Sequence, residues 1–417
     1  MKKKKRINTE PFNRNKIPPK QNLLIMPIMW LYCFIMTRRG KLRIQKERMK
    51  GLKPPYLVLG SHHAFMDFCV TPLALFPHRA NYVSELEGFE AYGEWCYRQI
   101  GCLGTRKFVN DMALVKNIKR VIDRKGILVL YPEARYANVG TSSKLPESVG
   151  KLAKALKVPV VVINMKGNYL QSPIWNLSLR KEARLEATIT QVFTKEELIK
   201  TTTAEVNEKL QQYLTYDEYT YQYETNQKIT YPKRAVGLEL ALYQCPVCKS
   251  EFTINSDNAD LYCNHCGERW HVTDLGRMEH INSKQELEIP KWYEWQREQV
   301  IREINENKYS LNIKVTIESL PNAVNFIDLG KGILQHKREG FYLTFTEYGE
   351  DKAKTLYFSS ISLTSIHTEY NYRGKGQCVV LSTLDNSYFI FPIEEGFNAT
   401  KIQFATEYYY ELAKGVG

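Results

Sequence analysis

The sequence predicts an α/β protein with a largely parallel sheet in its first half, then a small cysteine-bearing unit, then a β-rich, barrel-like domain ending in a helix. Three observations predict this. Between residues 51 and 228, short apolar strand-like runs alternate with helix-like ones, the pattern of βαβ units. Two Cys-x-x-Cys pairs follow, at Cys245 and Cys248 and at Cys263 and Cys266. From residue 311 the apolar period falls to two, with Leu311, Ile313, Val315 and Ile317 on one face; helical spacing returns at Phe404, Tyr408 and Leu412.

A chain of 417 residues is long enough for two or three domains with ample apolar cores. Its composition and punctuation divide it into residues 1–50, 51–228, 235–282 and 285–417. The formal charge is +13, and residues 1–50 hold 15 Lys and Arg against 2 Glu, so the remainder carries 43 of each sign. Charge gathered at one end suits an anionic surface such as membrane lipid. It excludes a generally basic nucleic-acid binder, and no nucleic acid is expected as a partner. Nine cysteines without a dense framework fit a reducing compartment and one metal site.

The first 50 residues begin with Lys2, Lys3, Lys4, Lys5 and Arg6, and residues 23–36 (LLIMPIMWLYCFIM) carry no charge before Arg38 and Arg39. As a helix this run reaches ~21 Å, short of the ~30 Å hydrocarbon core. Thr37-Arg38-Arg39 offers no small-x-small cleavage site, which argues against a secretory signal. An interfacial anchor on the cytoplasmic face of the membrane is the expectation, and a buried core helix is the alternative.

In residues 51–228, strands are expected at 56–59, 127–131 and 158–163, with helices at 85–99, 113–125 and 149–157. The first strand is closed by Gly60, and Ser61, His62, His63, Ala64, Phe65, Met66 and Asp67 follow. His62 and Asp67, five residues apart, would stand about 140° apart on a helix and on opposite faces of a strand, so a turn is needed to pair them. If Gly60 and its successors supply that turn, Asp67 can hold one imidazole nitrogen while the other serves a hydroxyl as general base. His63, at spacing four, competes for the role. Three further clusters fall at element ends: Gly101 to Arg106 with Lys107 next, Tyr131-Pro132-Glu133-Ala134-Arg135, and Val158-Pro159-Val160.

In order and spacing these blocks resemble the glycerolipid acyltransferase family, of the 1-acylglycerol-3-phosphate type, over roughly residues 50–215. The His-x4-Asp pair corresponds to His62 and Asp67, the glycine-to-arginine block to Gly101 and Arg106, the Pro-Glu-Gly block to Pro132 and Glu133, and the valine-proline block to Val158 and Pro159. The resemblance implies a membrane-associated O-acyltransferase of phospholipid biosynthesis or remodelling. His62 would act as base and Asp67 as its orienter on a fatty acyl thioester, supplied by acyl-CoA or an acyl-carrier protein, with a lysophospholipid as acceptor. Substrate binding would fall to Gly101, Arg106, Glu133, Arg135 and Pro159, the two arginines offering forked donors to the acceptor's phosphate. Ser61 stands where the family has asparagine, Ala64 where it has serine, and Ala134 where it has glycine, all in segments that would shape the acceptor pocket. A non-catalytic membrane adaptor is the reading from another class. A hydrolase lacks the expected Gly-x-Ser-x-Gly elbow.

The cysteine pairs are separated by fourteen residues and sit in knuckle-like contexts, which predicts a tetrahedral Zn2+ site with Cys245, Cys248, Cys263 and Cys266 as ligands. The segment is similar to zinc ribbons. With four thiolates the shell is closed, so a structural role is expected. In residues 285–417 a helix is expected at 292–307, then strands at 311–317, 332–336, 341–346, 355–358, 378–381 and 388–391, then a helix from Asn398 through Leu412. That architecture resembles a pleckstrin-homology-like barrel, for lipid or partner binding.

Overall fold

The computed structural model describes residues 8–347 and 350–415, so the Lys2 to Arg6 run lies outside the described residues. Seven strands build the first sheet: β1 (Arg43–Glu47), β2 (Tyr56–Gly60), β3 (Ala80–Glu85), β4 (Cys102–Thr105), β5 (Ile127–Leu130), β6 (Val160–Lys166) and β7 (Glu186–Phe193). Their order is β1-β7-β6-β2-β5-β3-β4, and every neighbouring pair is parallel except β6 and β7. The central strands are unbroken apolar runs because both faces are covered. Leu57, Leu59, Leu128 and Val162 pack under the helices Met112–Asp123, Ser148–Leu156 and Thr203–Leu214. Tyr56, Val58, Val129 and Val161 face the helices Ile25–Thr37 and Asp67–Leu75, together with Phe389 and Phe391 from the C-terminal domain.

Two local expectations are corrected. The predicted helix over residues 85–99 begins as β3, whose last residue is Glu85, and continues as two short helices, Leu86–Tyr92 and Glu94–Gln99, broken at Gly93 with φ 86°. Gly60 supplies no turn: it is the last residue of β2, and a Cβ there would lie 2.6 Å from Tyr131 Cε1. Residues 61–66 make the turn, and Gly60 makes room for an aromatic ring.

Helix Ile25–Thr37 buries Met26, Met29 and Cys33 against the sheet's helices and turns Ile28, Leu31 and Ile35 outward, in line with Leu24, the residue just before it, which is 83% exposed. Among the described residues no helix is long and apolar enough to cross a membrane.

The cysteine-bearing unit is an antiparallel sheet of β8 (Ile254–Asp257), β9 (Asp260–Cys263), β10 (Arg269–Val272), β11 (Arg277–His280) and β12 (Glu286–Glu288), paired in sequence order. The last sheet holds β13 (Leu311–Ser319), β14 (Ile327–Lys337), β15 (Gly340–Thr346), β16 (Ala353–Ser359), β17 (His367–Glu369), β18 (Cys378–Ser382) and β19 (Ser387–Pro392). It is antiparallel throughout, in the order β16-β15-β14-β13-β19-β18-β17, and the helix Ala399–Lys414, capped by the Asn398 side chain, packs against it. One apolar core runs through both units: Trp270 lies 4.9 Å from Trp292 on helix Ile289–Asn305, and Tyr293 on that helix lies 4.6 Å from Phe404.

Candidate active site

The carboxyl ends of parallel strands leave backbone groups and loop side chains converging on one edge of the sheet, where α/β proteins hold their ligands. His62 follows β2, Glu133 follows β5, Asn168 follows β6, Glu85 ends β3, and Arg106 and Lys107 follow β4.

His62 Nδ1 lies 3.0 Å from Asp67 Oδ2. The pair forms because Asp67 opens the helix Asp67–Leu75, where the helix dipole favours a carboxylate, and the turn before it wraps that carboxylate. Oδ2 also accepts the N–H groups of His63 at 2.6 Å and Ala64 at 3.1 Å, and Oδ1 accepts the Asn168 amide at 2.7 Å. With every neighbour a donor, Asp67 can only accept from Nδ1, which leaves the lone pair on Nε2. The imidazole is 16% exposed, stacked on Tyr131 at 4.5 Å and beside Tyr136 at 4.6 Å. No hydrogen bond among the described residues engages Nε2, and His62 lines a cavity of about 710 Å³. Phe68, Tyr82, Tyr97, Val115, Ile118 and Leu152 give the cavity an apolar wall.

His63 is fully buried, with Nδ1 3.1 Å from Glu218, Nε2 2.8 Å from the Ser61 hydroxyl, and its ring stacked 3.6 Å from Tyr216. Burial would lower its pKa, but the charge of Glu218 and its hydrogen bond outweigh that and raise it. The ring is fully buried between Glu218, Ser61 and Tyr216 and does not line the cavity, so in this arrangement it is out of a substrate's reach.

The other predicted residues fall into two groups. Glu133, expected to bind substrate, is beside the dyad, where it braces the backbone. Oε1 accepts the His62 N–H at 3.1 Å, Oε2 accepts the Ser143 N–H at 2.9 Å, and the Tyr216 hydroxyl lies 3.3 Å from Oε2. Burial pushes its carboxyl up from the ordinary range. Gly101 and Pro159 precede β4 and β6, at the amino ends of the strands, and neither lines the cavity. Gly101 has φ 96°, and a Cβ there would meet the Ala80 carbonyl at 3.0 Å; the Pro159 carbonyl accepts the Leu57 N–H at 3.0 Å.

The two arginines depart most from expectation. Arg106 lines the cavity, yet its terminal nitrogens donate to the carbonyls of Leu320 (2.8 Å), Pro321 (2.6 Å) and Asp385 (3.0 Å) and to the Ser387 hydroxyl (2.9 Å), all in the C-terminal domain. Burial lowers its guanidinium to about 10. Arg135 donates to Glu407 at 3.2 Å, on the C-terminal helix. Neither is presented to a phosphate in this arrangement; both fasten the C-terminal domain to the sheet edge. Replacing Arg106 by Ala is therefore expected to cost several kcal/mol in chemical denaturation, at ~1–3 kcal/mol for each buried acceptor left without its donor. Unaltered stability with a raised acceptor KM would return it to the substrate.

Ala134 holds φ 55°, the left-handed region in which glycine is unstrained. An Ala134→Gly substitution should raise stability by ~0.5–1 kcal/mol, the relief of strain exceeding the added unfolded-state entropy; a destabilised variant in urea denaturation would contradict this.

Sequence reasoning missed Asn168 and Glu218. Asn168 follows Gly167, where φ is 86° and a Cβ would collide with the Arg184 carbonyl at 1.8 Å; Glu218 accepts the Gly167 N–H at 2.8 Å. A glycine and an amide directly after an apolar strand was the available signal. Also missed is a charged cluster on the cavity wall: Lys107 pairs with Glu85, and its Nζ is 3.1 Å from His367 Nε2. Burial would raise the Glu85 carboxyl, but Lys107 and then His367 hold it down to about 2.

In the ribbon-like unit the four thiols converge, with Sγ atoms 3.7 Å apart for Cys245 and Cys266 and for Cys248 and Cys263. A tetrahedron with ~2.3 Å metal–sulfur bonds has sulfurs ~3.8 Å apart, so the set could hold a metal ion such as zinc. The knuckles are alike: the Lys249 N–H donates to the Cys245 carbonyl and the Gly267 N–H to the Cys263 carbonyl, both at 2.9 Å.

Neither a protein-family profile nor a curated protein matches the chain. Among solved structures it is similar to the 1-acyl-sn-glycerophosphate (LPA) acyltransferase PlsC from Thermotoga maritima. The TM-score is 0.37 and the identity 12%, over 46% of this chain and 77% of that one.

Proposed function

We propose that the protein is an O-acyltransferase that moves a fatty acyl group from a thioester to the hydroxyl of a lysophospholipid at a membrane surface. The observation that carries the proposal is the His62–Asp67 pair on the wall of an apolar cavity large enough for an acyl chain. In this reading His62 Nε2 takes the proton of the acceptor hydroxyl as its oxygen attacks the thioester carbonyl. Asp67 stabilises the imidazolium, and the departing thiolate recovers the proton when the tetrahedral intermediate collapses. Glu133 and Tyr131 position the imidazole. Purified protein with isotope-labelled acyl thioester and a panel of lysolipids, read by mass spectrometry, tests this; no labelled lipid from any acceptor would sink it.

Membrane contact is proposed through helix Ile25–Thr37, whose outward stripe of Ile28, Leu31 and Ile35, in line with Leu24 just before it, has the spacing of an interfacial face. Removing the helix would also remove core residues, so point changes are the cleaner test. Replacing Leu24, Ile28 and Leu31 by Asn should release the protein from anionic vesicles in a flotation assay without altering its melting. Unchanged vesicle binding would move the anchor elsewhere.

Zinc is proposed as a structural ion of the four cysteines. The last domain is read as pleckstrin-homology-like, supported by its strand order, with β13 between β14 and β19, and by the closing helix. A membrane adaptor is the second reading, favoured by the engagement of both arginines with the C-terminal domain.

A further inference from the structure

Five ionisable side chains meet where the C-terminal domain touches the cavity wall. Glu85 ends β3, Glu87 lies on helix Leu86–Tyr92, Lys107 follows β4, and His367 and Glu369 are the ends of β17. Glu85, Glu87 and Lys107 line the cavity, and His367, 3% exposed, stands behind them. His367 Nε2 is 2.9 Å from Glu369 Oε1. Nε2 stands between that carboxylate and the Lys107 ammonium, 3.1 Å away; in the tautomer that donates to Glu369 the lone pair is on Nδ1. That Nδ1 is buried without a hydrogen-bond partner and faces Glu87 Oε1 at 3.9 Å. A buried imidazole nitrogen without a hydrogen-bond partner, facing one carboxylate while a second carboxylate stands at the ring's other nitrogen, is an arrangement found in braced protein metal ligands. One donor atom each from Glu85, Glu87 and His367 lie within 4.8 Å of one another. Ligands ~2.0–2.2 Å from a common ion stand ~2.8–4.4 Å apart, so 3.9 Å is a separation that two ligands of one ion adopt.

We infer that Glu85, Glu87 and His367 form a binding site for a divalent cation such as Mn2+ at the seam between the first sheet and the C-terminal domain. Two carboxylate oxygens and one imidazole nitrogen suit such an ion and leave coordination positions open toward the cavity. The Lys107 ammonium shares Glu85 and opposes the ion's entry. The ion's role, though not its binding, rests on the acyl-transfer reading: with Arg106 and Arg135 holding the C-terminal domain, the cation is the positive charge that meets an acceptor phosphate.

The test is Mn2+ titration of the full chain with its cysteine site zinc-loaded, followed by electron paramagnetic resonance and calorimetry. One Mn2+ per chain is expected, with affinity reduced at least tenfold in His367→Ala and in Glu87→Gln. Lys107→Gln removes the opposing ammonium and should tighten binding by about tenfold, which keeps the site testable if either other variant folds poorly. No bound Mn2+, or affinity unchanged in all three variants, overturns the site. Mn2+ binding without acyl transfer to any lysolipid leaves the site and removes the acyl-transfer reading; transfer without Mn2+ binding does the reverse.

Discussion

Replacing His62 by alanine is expected to lower acyl transfer by ~10²–10⁴-fold, the usual contribution of a positioned general base, with melting and zinc content close to those of the parent. The side chain is 16% exposed and stands on the cavity wall, so its removal leaves little buried unpaired charge beyond Asp67, which keeps three other donors. Its neighbour behaves oppositely. His63→Ala removes the imidazole that faces the fully buried Glu218 and stacks on Tyr216, and should lose stability before chemistry. Product formation by the His62 variant at the parental rate would eliminate the proposed base.

Removing the metal from the four cysteines should have the largest effect on folding. Structural zinc contributes ~10–16 kcal/mol in zinc-finger peptides at neutral pH, and here the cysteine-bearing unit shares a core with the domain after it through Trp270 and Trp292. A Cys263→Ser substitution, or a strong chelator, is expected to lower Tm by about 10 °C or more. It should also expose helix Ile289–Asn305 to proteolysis. Identical melting curves with and without chelator would mean that the core alone supports the unit.

The elements legible in the sequence were those whose pattern is dictated by burial on both faces or by strict alternation: β2, β5, β6 and most strands of the last sheet. β1, β3, β4 and β7 were missed because they are edge or near-edge strands that mix polar residues into short runs, as Asn81 and Ser84 do in β3. The pairing of His62 with Asp67 was legible because both fall in the few residues between a strand's end and the next helix. The partners of Arg106 were not, since they lie more than two hundred residues away, and local spacing carries no information about which distant carbonyls a guanidinium will find. Gly101 and Pro159 were assigned to substrate through a resemblance of blocks. Their place at the opposite end of the strands shows that such a block can mark a turn the fold needs.

The guanidinium of Arg106, plugged into a ring of carbonyls, makes the two halves of the molecule one cooperative object. A fragment ending before residue 311 would lose the carbonyls that hold that guanidinium and bare the apolar surface that Leu320, Phe389 and Phe391 now cover. Trimming the chain to its presumed enzymatic half would therefore yield aggregate, and any assay of that half must be run on the intact polypeptide.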